Sequence, residues 1–178
     1  MIWLKTFNDI VSFETSGEID IIDLTERFSK SVQNSGIKNG ILSANVIGST
    51  GALTAIEYEH RVLDDFKQIL HKLVPKGAGY KHDIIDSNAH SHLRASLIGP
   101  SLTISIHEGR MQLGTWQQPV FVCLDVRSRS RKVALTIIGE WDWAQNIMWL
   151  DVERKNVGSL VIAKLIKKPK CAPIVNIV

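Results

Sequence analysis

Apolar and polar positions change their period several times along this chain, and each change marks an element. Residues 5–14 predict a first strand. Asp23-Leu-Thr-Glu26 has capping-box spacing, in which Asp23 bonds the N–H groups of the first turn and Glu26 reaches back. Leu24, Phe28 and Val32 supply that helix's apolar face, and Gly36 ends it. Residues 41–47 read as a short buried strand, Gly48-Ser-Thr-Gly51 interrupts, and residues 53–58 form the next strand. The clearest helix covers 60–74. Val62, Leu63, Phe66, Ile69, Leu70, Leu73 and Val74 keep the helical period, with Asp64 and Asp65 early and Lys67, His71 and Lys72 late, which suits the helix dipole. Pro75 stops it, and Lys76-Gly-Ala-Gly79 begins a loop.

A shorter helix is expected from Asn88 to just before Gly99-Pro100. The period then becomes two. Leu102, Ile104 and Ile106 alternate with polar partners, Glu108-Gly109 turns the chain, and Met111 and Leu113 return. Residues 120–126 and 132–138 predict a final hairpin around Arg127-Ser-Arg-Ser-Arg131, whose arginines read as a solvated tip. The order β-α-β-β-α-α-β-β-β-β implies an α+β fold, a largely antiparallel sheet with helices packed on one side.

Residues 1–140 form the body, and 141–178 differ from it. Trp141, Trp143 and Trp149 precede a Lys-, Ile- and Val-rich stretch too short for a core of its own. Docking of this extension on the body is expected, because bare Trp and Ile would otherwise be exposed; a partner surface or partial disorder are the alternatives. The extension holds six of the 21 basic and three of the 18 acidic residues, leaving 15 of each in the body. The formal +3 therefore belongs to the extension, and the pI of 8.9 gives no reason to expect nucleic-acid binding by the body. With 178 residues and 44% hydrophobic content the chain can bury one good core. No apolar stretch approaches the roughly 20 residues that span a membrane, and no signal peptide is evident at Met1. Two distant cysteines, Cys123 and Cys171, fit a reducing cytoplasm.

Candidate chemistry gathers in a few places. Asn88-Ala-His-Ser-His92 puts two histidines at a helix start, where Asn88 as N-cap leaves N–H groups and a positive dipole end for an anion. His90 could donate to a phosphate or ligate a divalent ion. The plainer reading packs His92 beside Ala89, Leu93, Ser96 and Leu97 and leaves His90 exposed. His82, Asp83, Asp86 and Glu57 add enough ligands for a divalent ion, Mg²⁺ or Mn²⁺ if oxygen-rich and Zn²⁺ if imidazole-rich. Asp83 and Asp86 could equally bond the loop backbone. Ser49 and Thr50 lie in a glycine-flanked turn able to cradle an anion, or simply link two strands. Trp116 and Gln117 offer a stacking ring and an amide; a buried Trp116 locking the turn through its N–H is the alternative.

Three runs, Asn88 to His92, Ala95-Ser-Leu-Ile-Gly-Pro-Ser101 and Gly109 to Gly114-Thr-Trp-Gln117, resemble the YjbQ-like proteins, a family associated with a secondary thiamine-phosphate synthase activity. The resemblance covers residues 5–140. It implies an α+β sandwich, a homotrimer, and a polar pocket near the subunit boundary drawing on Glu57, His82, Asn88, His90, His92 and Gln117. The implied reaction couples hydroxymethylpyrimidine pyrophosphate to a thiazole phosphate and releases pyrophosphate, assisted by a divalent metal ion (Mg²⁺ or Zn²⁺). His90, His92 and Glu57 would be catalytic; His82, His90 and His92 would ligate the metal; Ser49, Thr50, Asn88, Trp116 and Gln117 would hold the small phosphorylated substrate. A metal-dependent phosphate-ester hydrolase and a non-catalytic binding or assembly module are the other readings. The chain departs from the family where a His-Thr/Ser-Thr-Ala run is replaced by Gly48-Ser-Thr-Gly51. Gly48 can neither ligate a metal nor transfer a proton, so either the other histidines support the chemistry or the chain is the non-catalytic module, which this replacement favours.

Overall fold

A computed structural model describes residues 3–141. The elements are β1 (Trp3–Thr15), β2 (Asp20–Asp23), α1 (Thr25–Ser35), β3 (Ile37–Val46), β4 (Gly51–Ile56), α2 (His60–Leu73), a 3-10 turn (Lys81–Ile84), α3 (Ala89–Ile98), β5 (Ser101–His107), β6 (Arg110–Met111), β7 (Gln118–Cys123) and β8 (Arg129–Trp141). The strands form two antiparallel sheets, one in the order β1-β8-β3-β5-β6 and one in the order β2-β7-β4. Every expected element is present; β2 and the 3-10 turn are additions. The extension beyond Trp141, with its expected docking, lies outside the described residues. No helix among the described residues is long and apolar enough to cross a membrane.

The sheets face each other across the main core. Val11, Phe13, Leu42, Val133, Leu135 and Ile137 project from the larger sheet onto Phe121, Leu53 and the α1 residues Phe28 and Val32. The other face of the small sheet, through Ile21, Ala52, Val120 and Val122, is covered by Leu70 and Phe66 of α2 and Ala95 and Ile98 of α3. β7 therefore has apolar neighbours on both faces, which explains its continuous Val120-Phe-Val-Cys123 run. α2 uses its apolar stripe only in part: Leu70 is buried, whereas Ile69 and Leu73 face solvent.

Two local expectations are corrected. The 120–126 and 132–138 runs do not form a hairpin. β7 pairs with β2 and β4, β8 pairs with β1 and β3, and the chain between them crosses from one sheet to the other. Two neighbouring apolar runs carry no mark of whether they pair locally; long-range register decides it. The start of α1 also differs from a capping box. Leu24 occupies the N-cap, while Asp23 Oδ1 accepts from the Thr25 backbone N–H and hydroxyl at 2.7 and 2.5 Å.

Candidate functional site

The C-terminal end of α2, the connection that follows, the start of α3 and the 48–50 turn meet at one end of the small sheet. Glu59 caps α2 through Oε2, 3.0 Å from Arg61 N and 3.2 Å from Val62 N, so the helix runs from the opposite end towards this one. Asp83 Oδ1 accepts from Ala89 N at 3.0 Å, and Asp86 Oδ2 accepts from Asn88 Nδ2 at 2.8 Å. Asp83 and Asp86 thus hold the start of α3, the loop-bonding role open to them from sequence. A protein carboxylate already sits where an external anion would meet the first turn of α3.

His92 occupies the outer face of α3. Its Nδ1 lies 3.2 Å from the Ser49 carbonyl oxygen. A carbonyl oxygen only accepts, so Nδ1 is the donor of this pair, and the second ring nitrogen, Nε2, is left for an outside partner. The His82 ring stands nearly perpendicular to it, with centroids 5.2 Å apart. Tyr80, Lys81, His82, Ala89, His92 and Leu93 line a cleft of about 330 Å³. This collects a phenol, an ammonium and two imidazoles, a set of donors suited to phosphate oxygens.

His90 is elsewhere. It is completely buried, on the face of α3 turned away from the cleft, reversing the reading in which His92 is packed and His90 exposed. Its Nε2 is 3.4 Å from Glu18 Oε1. That carboxylate also accepts from Arg94 at 2.8 Å and meets Lys76 at 3.6 Å. Arg94, itself without solvent exposure, donates as well to Val74 O at 2.9 Å and approaches His71 Nδ1 at 3.2 Å. Burial pushes the His90 ring below the usual imidazole range, with the Glu18 charge opposing. Burial raises Glu18, but the Arg94 hydrogen bond and the neighbouring charges outweigh it and hold the carboxyl below its ordinary value. Neither Glu18 nor Arg94 was singled out from sequence. Arg94 follows His90 by one helical turn, which was a usable signal; Glu18 in a turn offered none.

A second polar group lies behind Ser49. Thr50 donates to Asp125 Oδ2 at 3.0 Å, and Arg131 reaches Thr50 Oγ1 at 3.2 Å and Cys123 Sγ at 3.3 Å. Arg131 is buried, so the solvated-tip reading holds only for Arg127 and Arg129. Its phase with Val133, Leu135 and Ile137 was the overlooked sign that it points inward. Asp125 is raised by burial, and more strongly lowered by Thr50, the Arg127 backbone N–H and Arg129. Thr50 is thereby committed to the interior, leaving Ser49 as the exposed hydroxyl of that turn.

The remaining candidates stand at the opposite end of β4. Ile56 pairs with Gln118, so Glu57 and Gln117 neighbour each other beyond the last rung. Gln117 Oε1 accepts from Gly114 N at 3.1 Å and closes the turn, and Trp116 is 70% exposed rather than buried as its lock. Ser49 and Glu57 are separated by β4, on the order of 25 Å of extended chain. One copy of the chain therefore brings His82, His92 and Ser49 together, and does not bring Glu57, Trp116 or Gln117 to them. His82, His90 and His92 do not converge on one point, and no three His, Cys, Asp or Glu side chains among the described residues are gathered as metal ligands.

Comparison with known proteins gives a consistent result. The family model described as UPF0047 protein YjbQ-like matches residues 9–140. A UPF0047 protein of Methanothermobacter thermautotrophicus is 38% identical over 139 residues, 78% of this chain and 96% of that protein. The UPF0047 protein YjbQ of Salmonella typhimurium is 31% identical over 106 residues, 58% of this chain and 77% of its own. Among solved structures, a YbjQ-like protein of unknown function from Sulfolobus solfataricus superposes with a TM-score of 0.75 at 33% identity, covering 78% of this chain and all of that one.

Proposed function

This chain belongs to the UPF0047 YjbQ-like family, and from that premise we propose that it binds a small phosphorylated substrate in the His82–His92 cleft and couples hydroxymethylpyrimidine pyrophosphate to a thiazole phosphate. The observation that carries this reading is the His92 ring held through Nδ1 at the Ser49 carbonyl, which leaves Nε2 for an outside partner in a cleft shared with His82, Tyr80 and Lys81. In the coupling the thiazole nitrogen forms a bond to the pyrimidine methylene carbon, the carbon–oxygen bond breaks, and the electron pair leaves with pyrophosphate. Charge develops on the departing diphosphate, where Lys81 and the Tyr80 hydroxyl supply a cationic and an O–H donor. His82 and His92 are the two side chains that would hold a divalent ion, with further ligands from the substrate or a neighbouring copy. Such an ion would neutralise the leaving group.

Positive charge also develops on the pyrimidine, and the cleft lining contains no carboxylate to meet it. Glu57 and Trp116 have that chemistry but lie at the far end of β4. A head-to-tail homotrimer would set one copy's Glu57, Trp116 and Gln117 against the next copy's cleft, since heterologous contacts close into a ring when the rotation permits. Exposed Ile84, Ile85, Leu93 and Leu97 beside the cleft support such a contact.

The test is pyrophosphate release with both precursors and Mg²⁺. The wild type should release it only when both are present, and His92→Ala should slow release by about 10²-fold. Phosphate or pyrophosphate released from one precursor alone would instead favour hydrolysis, with His92 Nε2 taking the proton of the attacking water. No release from folded, metal-supplemented protein would overturn the synthase reading.

A further inference from the structure

The outer face of the larger sheet has an unusual composition. Across β1, β8, β3 and β5, the three successive rows that start at Thr6, Asn8 and Ile10 face away from the core. None of their positions carries a charge. Ile10, Ile41 and Ile138 are exposed on this face, Thr136 donates to Asn8 Oδ1 at 3.0 Å, and a depression of about 460 Å³ lies between Ile10 and Thr136. A sheet face that only meets water normally alternates its apolar positions with charged ones. Depletion of charge around exposed isoleucine is instead the composition of a covered surface.

We propose that residues 142–178 of the same chain cover it. Three features select this occupant. The chain leaves the described structure at Trp141, the last residue of β8, which is flanked by β1 and β3 within this very sheet. The 37 residues that follow could extend roughly 120 Å, several times the width of the face. They contain Leu160-Val-Ile-Ala-Lys-Leu-Ile166, a run with one charge that needs an apolar surface. Area separates this occupant from a second copy. Three rows on four strands make on the order of 400 Å² of sheet surface, about half of what each partner buries in a stable protein–protein interface. A tethered segment loses far less translational freedom than a separate molecule and can use the smaller area. The Lys-rich positions of the extension would then lie outermost, giving a basic outer layer over a neutral body.

The experiment is hydrogen exchange by mass spectrometry on the full chain, comparing the wild type with Asn8→Lys/Ile41→Lys, which charges two exposed positions of this face. Peptides from 155–170 should exchange at least tenfold more slowly than an unstructured chain in the wild type and lose that protection in the variant, while β7 amides stay protected in both. The proposal is overturned if those peptides are unprotected in the wild type, or if their protection survives the double substitution. It is also overturned if the protection fades on dilution, which would mean that a second copy covers the face.

Discussion

Arg94 places a guanidinium where no water reaches it, and Glu18, Val74 O and His71 use its donors. Removing one partner of a buried ion pair strands the other, so Arg94→Met should cost about 3–5 kcal/mol, read as a fall in the urea midpoint. His90 makes this neighbourhood pH-sensitive. Its folded pKa is depressed, so the unfolded chain binds the proton more readily, and stability should be full above about pH 6.5 and decline as the pH falls below it. Glu18 and Asp125 are depressed carboxyls, whose contribution is present above their ordinary values near 4.5 and 3.8 and is lost as the pH falls through the lower folded values. Denaturation at a series of pH values should therefore show two separate declines. His90→Gln should abolish the upper one and leave the lower; a single decline near pH 4 in the wild type would refute the assignment. At this scale the sequence was only partly legible. His92 was readable as a candidate from its motif, but its ring is held by a carbonyl more than forty residues away.

Strands β3 and β8 approach most closely where Gly40 faces Gly139. A Cβ at Gly139 would stand 2.1 Å from Asn39 O and one at Gly40 2.2 Å from Ile138 O, with backbone as the obstacle in both cases. Gly139→Ala should therefore destabilise the protein by about 1–3 kcal/mol through forced strand separation, measurable as a lowered Tm. Helix α1 ends as its sequence predicts, with Gly36 at φ 67° accommodating the left-handed cap. The ends of α1 and α2 were legible because Gly36, Pro75 and the apolar period are local signals, whereas the side-chain caps at their starts, a misread box at Asp23 and an unread Glu59, were not. The β7–β8 hairpin was misread because strand partners are chosen by contacts remote in sequence.

For the whole molecule, the separation of His92 from Trp116 by the length of β4 gives a prediction that no single-copy site shares. If the proposed head-to-tail trimer forms, His92→Ala and Trp116→Ala proteins, each slowed on its own, should regain activity when denatured together and refolded as mixed assemblies, because some boundaries then join an intact cleft to an intact Trp116. Light scattering should find Trp116→Ala less associated than the wild type. Activity that is never regained in demonstrated mixed assemblies would place both residues in separate roles.

The sequence by itself determined every element except β2 and the 3-10 turn, the α+β class, the family and the clustering of polar chemistry around α3, because period and motifs are written in neighbouring residues. The tertiary structure decided which apolar runs share a sheet, that Arg94 and Arg131 turn inward, and that of the two histidines on α3 His90 is the buried one and His92 faces the cleft. Those outcomes depend on which distant surfaces are buried together, and burial fixes both the partner of a charge and whether a ring nitrogen is left for an outside partner.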